Sequence, residues 1–279
     1  MENNTLSIRN IHERDKNIKF YELNHHYEIQ TDLSSKYTSV TTFCHSHFPP
    51  FNTDLIIKNM MRGKNWNSTN KYWGMTAEEI KQSWKSSTNA GTLLHEQIEH
   101  FMNNYNRTIN STHKDLFDEY INTNNSISVE EEDDWSMFIH FINNNELLVP
   151  YRTEWMIYDE EIKISGSIDM VYLNPDDTLS IYDWKRCKDI TIENKWNKYS
   201  TNPLLKGIPD TNYWHYTLQL NMYKYILESK YNKKVKDLYL VQIHPENPNK
   251  DYELINVPFL TNEINELRLE RKYIISKII

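Results

Sequence analysis

The spacing of hydrophobic positions predicts strands and helices in separate parts of the chain. Short apolar and polar alternations within 18–42 are typical of strands. Residues 76–103 have helical spacing, with Thr76 and Glu79 placed as a capping box, and we expect Gly91 to interrupt or bend this helix. A further helix is predicted over 129–143, where the acidic run 130–134 fits a helix start better than a metal site, because carboxylates stabilise that end of the helix dipole.

From residue 151 onward the pattern becomes that of strands. Three strands are predicted over 151–159, 161–173 and 178–186, with a turn between the last two. Helical spacing returns over 212–229 and 262–279, and a buried strand is predicted over 235–243. This order predicts an α/β fold with a central mixed β-sheet flanked by helices. Since no repeat or linker rich in Gly, Ser or Pro divides the sequence, we expect one domain over 1–279.

Composition excludes several classes of protein. Hydrophobic residues make up 38% of the chain and aromatic residues 13%, which excludes disordered and fibrous classes. The two cysteines, Cys44 and Cys187, are too few for disulfide scaffolds, zinc ribbons or four-cysteine clusters. No apolar run approaches the ~18 residues of a membrane span, and the N-terminus lacks the apolar centre of a signal peptide. We therefore expect a soluble, intracellular protein with no membrane partner.

The hairpin predicted over 165–186 carries the most informative charges. If it turns symmetrically about Asp176, Asp169 lies opposite Asp183, and period two puts Lys185 on the same face. Two adjacent carboxylates in apolar surroundings need a raised pKa or a cation between them. With oxygen ligands, Mg²⁺ or Mn²⁺ is the natural occupant. The alternative is that Asp183 and Lys185 form an exposed strand pair of little consequence.

Two helical patterns accompany this hairpin. His95 and Glu99 are four residues apart and share a helix face with Gly91, one turn earlier. Gln219 and Tyr223 are also four residues apart on one face of a later helix. Taken singly, each pattern is also typical of ordinary packing or surface residues.

In combination, these patterns resemble the RecB-like branch of the PD-(D/E)xK nuclease superfamily. The resemblance lies in the order of five motifs along the chain: GxxxHxxxE, a strand Glu, GxxD, DxK and QxxxY. That branch includes phage and viral exonucleases and the mitochondrial genome maintenance exonuclease. The resemblance covers about residues 85–245. The matching residues are Gly91, His95, Glu99, Glu154, Gly166, Asp169, Asp183, Lys185, Gln219 and Tyr223.

The resemblance implies a restriction-endonuclease-like PD-(D/E)xK core over 85–245. Residues 1–84 would form a helical and β-hairpin N-terminal elaboration, and 246–279 a C-terminal helix. The GxxxxGK[ST] loop of helicase-fused nucleases is missing from the sequence, and so are the four cysteines of the iron–sulfur members. A stand-alone nuclease without an iron–sulfur cluster or nucleotide cofactor is what this predicts.

The resemblance also implies a role for each matching residue. Asp169 and Asp183, with the backbone carbonyl of Trp184, would bind one or two Mg²⁺ or Mn²⁺ ions, and His95 would add a ligand or face a second ion. Glu154 would support the metal shell through water. Gln219 and Tyr223 would hold substrate phosphate or position Lys185. For Lys185 we favour orienting water and stabilising the transition state over acting as a base, because adjacent carboxylates keep an ammonium charged.

The net charge of −8 seems at first to argue against a nucleic-acid partner. Basic residues are nevertheless concentrated between 186 and 206, so the local field matters more than the total. In this loop Arg186 and Lys188 would bind the strand, and Trp196 and Tyr199 would stack on the bases of single-stranded DNA. Packing of these aromatic residues against the sheet is an equal alternative. Other tryptophans, Trp66, Trp73, Trp84 and Trp135, are expected in the core.

These observations predict a metal-dependent exonuclease acting on single-stranded or other DNA ends in replication, repair or recombination. One alternative is a catalytically silent nucleic-acid-binding module. Such a module would be expected to have lost at least one of the four catalytic residues, Glu154, Asp169, Asp183 and Lys185. Another is a site-specific endonuclease of the same fold, which would need base-reading elements.

Overall fold

The computed structural model of the chain describes residues 5–104, 110–123 and 134–277. Its helices are α1 (Leu6–Arg9), α2 (Val40–His45), α3 (Thr53–Arg62), α4 (Ala77–Asn104), α5 (His113–Thr123), α6 (Asp134–Asn144), α7 (Asn212–Lys230) and α8 (Thr261–Ser276). Its strands are β1 (Ile18–Tyr21), β2 (His26–Ile29), β3 (Thr38–Ser39), β4 (Val149–Asp159), β5 (Ile164–Leu173), β6 (Leu179–Lys185), β7 (Val235–Gln242) and β8 (Glu253–Asn256).

A mixed sheet forms the centre of the structure. Strands β3, β5, β6, β7 and β8 lie side by side in that order, and β4 pairs with β5 along the opposite edge. The pairs β3–β5 and β6–β7 are parallel, and the others are antiparallel. Strands β1 and β2 form a separate antiparallel hairpin. The predicted α/β fold with a mixed central sheet and an N-terminal hairpin is confirmed.

Helices cover both faces of the sheet, so that each face has its own apolar core. On one face α2, α7 and α8 contribute Val40, Leu220 and Leu267. On the other, α4 and α6 contribute Leu94 and Phe138. Because β6 alternates between the two cores, the side chains at odd-numbered positions 179–185 point towards α7.

The β5–β6 hairpin has the predicted register, but its ladder ends beside the two carboxylates. Met170 pairs with Tyr182, and beyond this pair the backbone N–H of Trp184 donates to Asp169 Oδ2 at 3.0 Å. On the same edge of β5, β3 pairs only with Ile164 and Ser165. Within the described chain, residues 166–169 therefore have no strand partner on this edge, and we call this gap the β5 notch.

Helix α4 runs without a break through Gly91, so the expected interruption there is wrong. The glycine costs about 1 kcal/mol of helix propensity, which burial of Leu94 and Ile98 in the core outweighs. The predicted capping box is present: Thr76 N donates to Glu79 Oε2 at 2.7 Å, and Glu79 N donates to Thr76 Oγ1 at 3.3 Å.

Three of the tryptophans expected in the core lie outside it. Trp73 is 51% exposed, and Trp66 and Trp84 are half-buried. They belong to the segment from α3 to the start of α4, which packs on itself, as in the Trp66–Trp73 contact with ring centroids 5.7 Å apart. Only Trp135 packs against the central core, 4.9 Å from Phe138 between ring centroids.

The remaining sequence predictions are met in part. The helix expected from residue 129 is described from Asp134, and 129–133 lie outside the described residues. Cys44 is buried near the end of α2. None of the helices in the described ranges is long and apolar enough to cross a membrane.

We predict that His113 makes folding sensitive to acid. Its side chain is fully buried and bonded to the Tyr172 hydroxyl at 3.0 Å, and burial lowers its pKa to about 3. The unfolded chain would protonate this histidine near pH 6.5, so the free energy of unfolding should fall by up to about 1.4 kcal/mol per pH unit between about pH 6 and 3.

Chemical denaturation of the wild type and of His113→Gln across this pH range measures the effect. Gln can retain the bond to Tyr172 but does not titrate, so the difference in slope between the two proteins isolates His113. The exposed His100→Gln is the matched control. Equal slopes for His113→Gln and the wild type would contradict the prediction.

Candidate functional site

Three carboxylates lie on adjacent strands beside the β5 notch. In the β4–β5 ladder, Thr153 pairs with Met170 and Trp155 with Ile168, so that Glu154 lies opposite Asp169. Asp183 lies across the notch on β6. Glu154 has a left-handed backbone conformation, with φ of +43°, within an otherwise extended strand. The sheet thus forms a row of like charges, which needs compensation nearby.

Helix α4 places His95 against this row. Its Nδ1 lies 3.7 Å from Asp169 Oδ2 and 3.9 Å from Glu154 Oε1. Its Nε2 lies 3.1 Å from the carbonyl oxygen of Trp184, to which the protonated nitrogen donates. Ser167 Oγ donates to Glu154 Oε2 at 2.9 Å. A histidine that donates one ring N–H to a carbonyl and points the other nitrogen at carboxylates has the arrangement of an oriented metal ligand.

His95, Glu154 and Asp169 together could hold a metal ion. One potential ligand atom of each residue lies within 4.8 Å of those of the others. Burial alone would lower the pKa of His95, but the charges of Asp169 and Glu154 outweigh it and raise this pKa to about 9. Burial raises the pKa of Asp169, a shift that His95 opposes. The cluster attracts positive charge, and the proton on His95 occupies the position that a cation could take.

Asp183 and Lys185 form a buried ion pair on the α7 side of the row. Asp183 Oδ1 also accepts a hydrogen bond from Gln219 Nε2 at 3.1 Å. Burial raises the pKa of Asp183 to about 6, although Lys185 opposes the shift. Burial would lower the pKa of Lys185, but Asp183 and Asp169 hold it above its usual value. The Lys185 ammonium lies 4.7 Å from the centre of the Tyr216 ring, which stabilises the same charged form.

Tyr223 fills the β5 notch beside Gly166. A Cβ atom at Gly166 would lie 2.9 Å from Tyr223 Cε1 and 3.2 Å from Val40 Cγ2, so only glycine admits the ring at this distance. Gln219 lies one turn earlier on α7. Its Oε1 accepts a hydrogen bond from Thr41 Oγ1 at 3.4 Å, and its Nε2 donates to Asp183. The GxxD and QxxxY motifs are therefore parts of one packed contact between β5 and α7.

Of the residues predicted to bind substrate, Gln219 and Tyr223 belong to this packed contact, whereas those of the loop after β6 have other partners or border other hollows. Arg186 Nε is bonded to Asp134 Oδ2 at 2.5 Å, and Lys188 Nζ to Glu246 Oε2 at 2.9 Å. Trp196 is 81% exposed and Tyr199 46% exposed, and they border two other surface hollows. Their exposure contradicts the alternative that these two rings pack against the sheet. Both basic residues are paired with acidic side chains in this structure.

A cleft of about 650 Å³ opens onto His95 and Glu154. Gly91 and Glu99 line it from α4, as their shared helix face predicts. Its opposite wall is formed by the hairpin β1–β2, which sequence reasoning did not connect with the site. No sequence signal relates residues 20–27 to residue 154, because only tertiary packing brings them together. Tyr216 was also missed, although its place one turn before Gln219 on α7 could have indicated it.

Comparisons with known proteins do not identify a family for this chain. The sequence matches no protein-family model, and no curated protein matches it. One similar solved structure is described as "Crystal structure of SSO0001": it is 14% identical, the match covers 86% of this chain and 75% of that chain, and the TM-score is 0.34. Another, described as a "Putative exonuclease" from Eubacterium rectale, is 13% identical, with 87% and 79% covered and a TM-score of 0.39. Likeness at this level carries no argument about activity.

Proposed function

We propose that this chain is a metal-dependent deoxyribonuclease of the RecB-like PD-(D/E)xK type that hydrolyses phosphodiester bonds at DNA ends. The observation that carries the proposal is the position of the His95, Glu154 and Asp169 cluster beside the buried Asp183–Lys185 pair. Carboxylates and a lysine on adjacent strands, with a histidine from the helix packed against them, are groups that can activate water for attack on a phosphodiester. Their order in the sequence matches the motifs of that branch.

The residues present fit a hard divalent cation. Carboxylate oxygens from β4 and β5 lie close to His95 Nδ1 of α4. The negative charges of Asp169 and Glu154 raise the pKa of His95, and they would stabilise a bound cation in the same way. Mg²⁺ or Mn²⁺ suits such a donor set. When bound, such an ion lowers the pKa of water and offsets the charge of a phosphate oxygen.

Lys185 acts as a fixed positive charge in this proposal. Its raised pKa keeps the ammonium protonated at neutral pH, so it can donate hydrogen bonds but cannot accept a proton. Asp183 and Gln219 hold it in place through the chain of contacts to α7. A preformed ammonium beside the scissile phosphate stabilises the negative charge that develops in the transition state.

We predict that cation binding is coupled to deprotonation of His95. The cation must displace the proton from Nδ1, and the pKa of this histidine is about 9. The apparent Mn²⁺ affinity should therefore rise about tenfold per pH unit between about pH 6.5 and 8.5. Isothermal titration calorimetry in buffers of different ionisation enthalpy measures both the affinity and the release of close to one proton.

The variants His95→Gln and Asp169→Asn test the two kinds of ligand separately. His95→Gln should bind Mn²⁺ more weakly and lose the pH dependence, and Asp169→Asn should bind more weakly at every pH. The matched control on the same helix is His100→Gln, whose side chain is exposed. Wild-type affinity that is independent of pH in this range would contradict the coupling.

We predict that the wild type degrades linear DNA with Mg²⁺ or Mn²⁺ and that EDTA abolishes this activity. Asp183→Ala removes the partner that holds Lys185, so kcat should fall by about 10²- to 10³-fold. End-labelled linear single strands, linear duplexes and closed circles form the substrate set. Asp176→Asn, at the exposed turn of the same hairpin, is the matched control and should keep wild-type activity.

Each substrate separates one alternative from the proposal. Cleavage of closed circles would reject an obligate exonuclease in favour of an endonuclease. DNA binding without hydrolysis in either metal would favour the silent binding module. Full activity of Asp183→Ala would contradict the assigned site.

A further inference from the structure

The apolar face of the hairpin β1–β2 extends beyond the core that it covers. Ile18 pairs with Ile29, and both are buried against Tyr158 of β4. The next pair on the same face, Phe20 and Tyr27, is only half-buried. The hairpin is therefore anchored at one end, where Tyr27 also packs against this core, and Phe20 extends past it.

These two rings line the cleft that contains His95 and Glu154. Their centroids are 4.7 Å apart with an angle of 39° between the planes, so together they form a continuous aromatic wall. Burial raises the pKa of Tyr27 to about 12, with further contributions from the charges of Glu154 and Asp169. Tyr27 is thus an uncharged ring within electrostatic reach of the candidate metal ligands.

The charge of the cleft restricts what can lie against this wall. Besides Glu154, the acidic residues lining the cleft are Glu22, Glu96 and Glu99, and no Lys or Arg is among its described lining residues. A phosphate away from the candidate metal ligands would be repelled by these carboxylates. The part of a nucleotide that suits an aromatic wall among acids is the uncharged, planar base.

We propose that Phe20 and Tyr27 form a stacking platform for the base of the nucleotide next to the scissile phosphate, and so act as positioning residues for the strand being cut. The proposed nuclease function is the premise here, because the base belongs to its DNA substrate. Stacking fixes the strand relative to the carboxylates and orients the phosphodiester for attack.

This platform favours an unpaired strand end. A base must leave the duplex stack before it can stack on the hairpin. In double-stranded DNA this step costs unstacking and unpairing energy, whereas in a single strand it costs little. The enzyme should therefore cut single-stranded ends faster than blunt duplex ends, and the variants without the aromatic rings should lose part of this preference.

A double-mutant cycle between protein and DNA tests the platform. One abasic residue is placed at successive positions of an end-labelled single strand, and kcat/KM is measured with Mg²⁺ for the wild type, Phe20→Ala and Tyr27→Ala. At one position next to the cut, the abasic residue should lower wild-type kcat/KM by about 5- to 150-fold. The two variants should show a loss of similar size on the intact strand and little further loss from that abasic residue.

Two variants control for damage to the hairpin. Tyr27→Phe keeps the ring and should retain the abasic penalty. Tyr21→Ala removes an aromatic side chain from the opposite, outward face of the same hairpin, where Tyr21 is 44% exposed, and should also retain the abasic penalty. Thermal unfolding of each variant shows whether the fold is preserved.

The possible outcomes separate the two proposals. If the wild type cuts DNA and the abasic penalty is as large in Tyr27→Ala and Phe20→Ala as in the wild type, the platform is overturned and the nuclease function stands. If the wild type neither cuts nor binds any of the strands, the nuclease function fails, and the platform fails with it.

Discussion

Repulsion among Glu154, Asp169 and Asp183 on adjacent strands is the constraint on which the rest of the site depends. Like charges opposite one another destabilise a sheet, and burial increases that cost. The structure relieves it on both sides of the sheet, with His95 from α4 on one side and Lys185 on the other. The carboxylates raise the pKa of both His95 and Lys185, so each side chain stays protonated and offsets their negative charge. A divalent cation would relieve the same repulsion.

The same constraint explains the irregular sheet around Asp169. A continuous β5–β6 ladder would bring Asp169 directly beside Asp183, but the pairing ends at Met170 and the Asp169 carboxylate accepts the Trp184 N–H instead. The resulting notch is filled by Tyr223, which Gly166 admits by having no side chain. Helix α7 therefore does two things at once: it closes the gap in the sheet and supplies Gln219 to hold Asp183.

The distribution of positive charge changes how a chain of net charge −8 could bind DNA. Arg186 and Lys188, which sequence reasoning assigned to the substrate, are bonded to Asp134 and Glu246. The cleft itself is lined by acidic and aromatic side chains. DNA binding would then depend on the cation at the carboxylates and on base stacking more than on a basic groove. Since few phosphates would be contacted by Lys or Arg, the affinity for DNA would depend only weakly on salt.

Local and periodic features were predictable from the sequence, and long-range placement was not. The alternation of β5 and β6 and the turn between them fix the hairpin register, which is as predicted from Leu173 to Met170, but the ladder ends before it reaches Asp169 and Asp183. The break of α4 at Gly91 and the burial of Trp73 were predicted wrongly, because both depend on what packs against them. The sequence by itself determined the register of the hairpin that carries Asp169, Asp183 and Lys185, but not that His95 faces Asp169 on one side of the sheet while Lys185 pairs with Asp183 on the other. Only the tertiary structure decided that Phe20 and Tyr27 face His95 and Glu154, since contacts between distant segments arise from packing and leave no periodic signal in the chain.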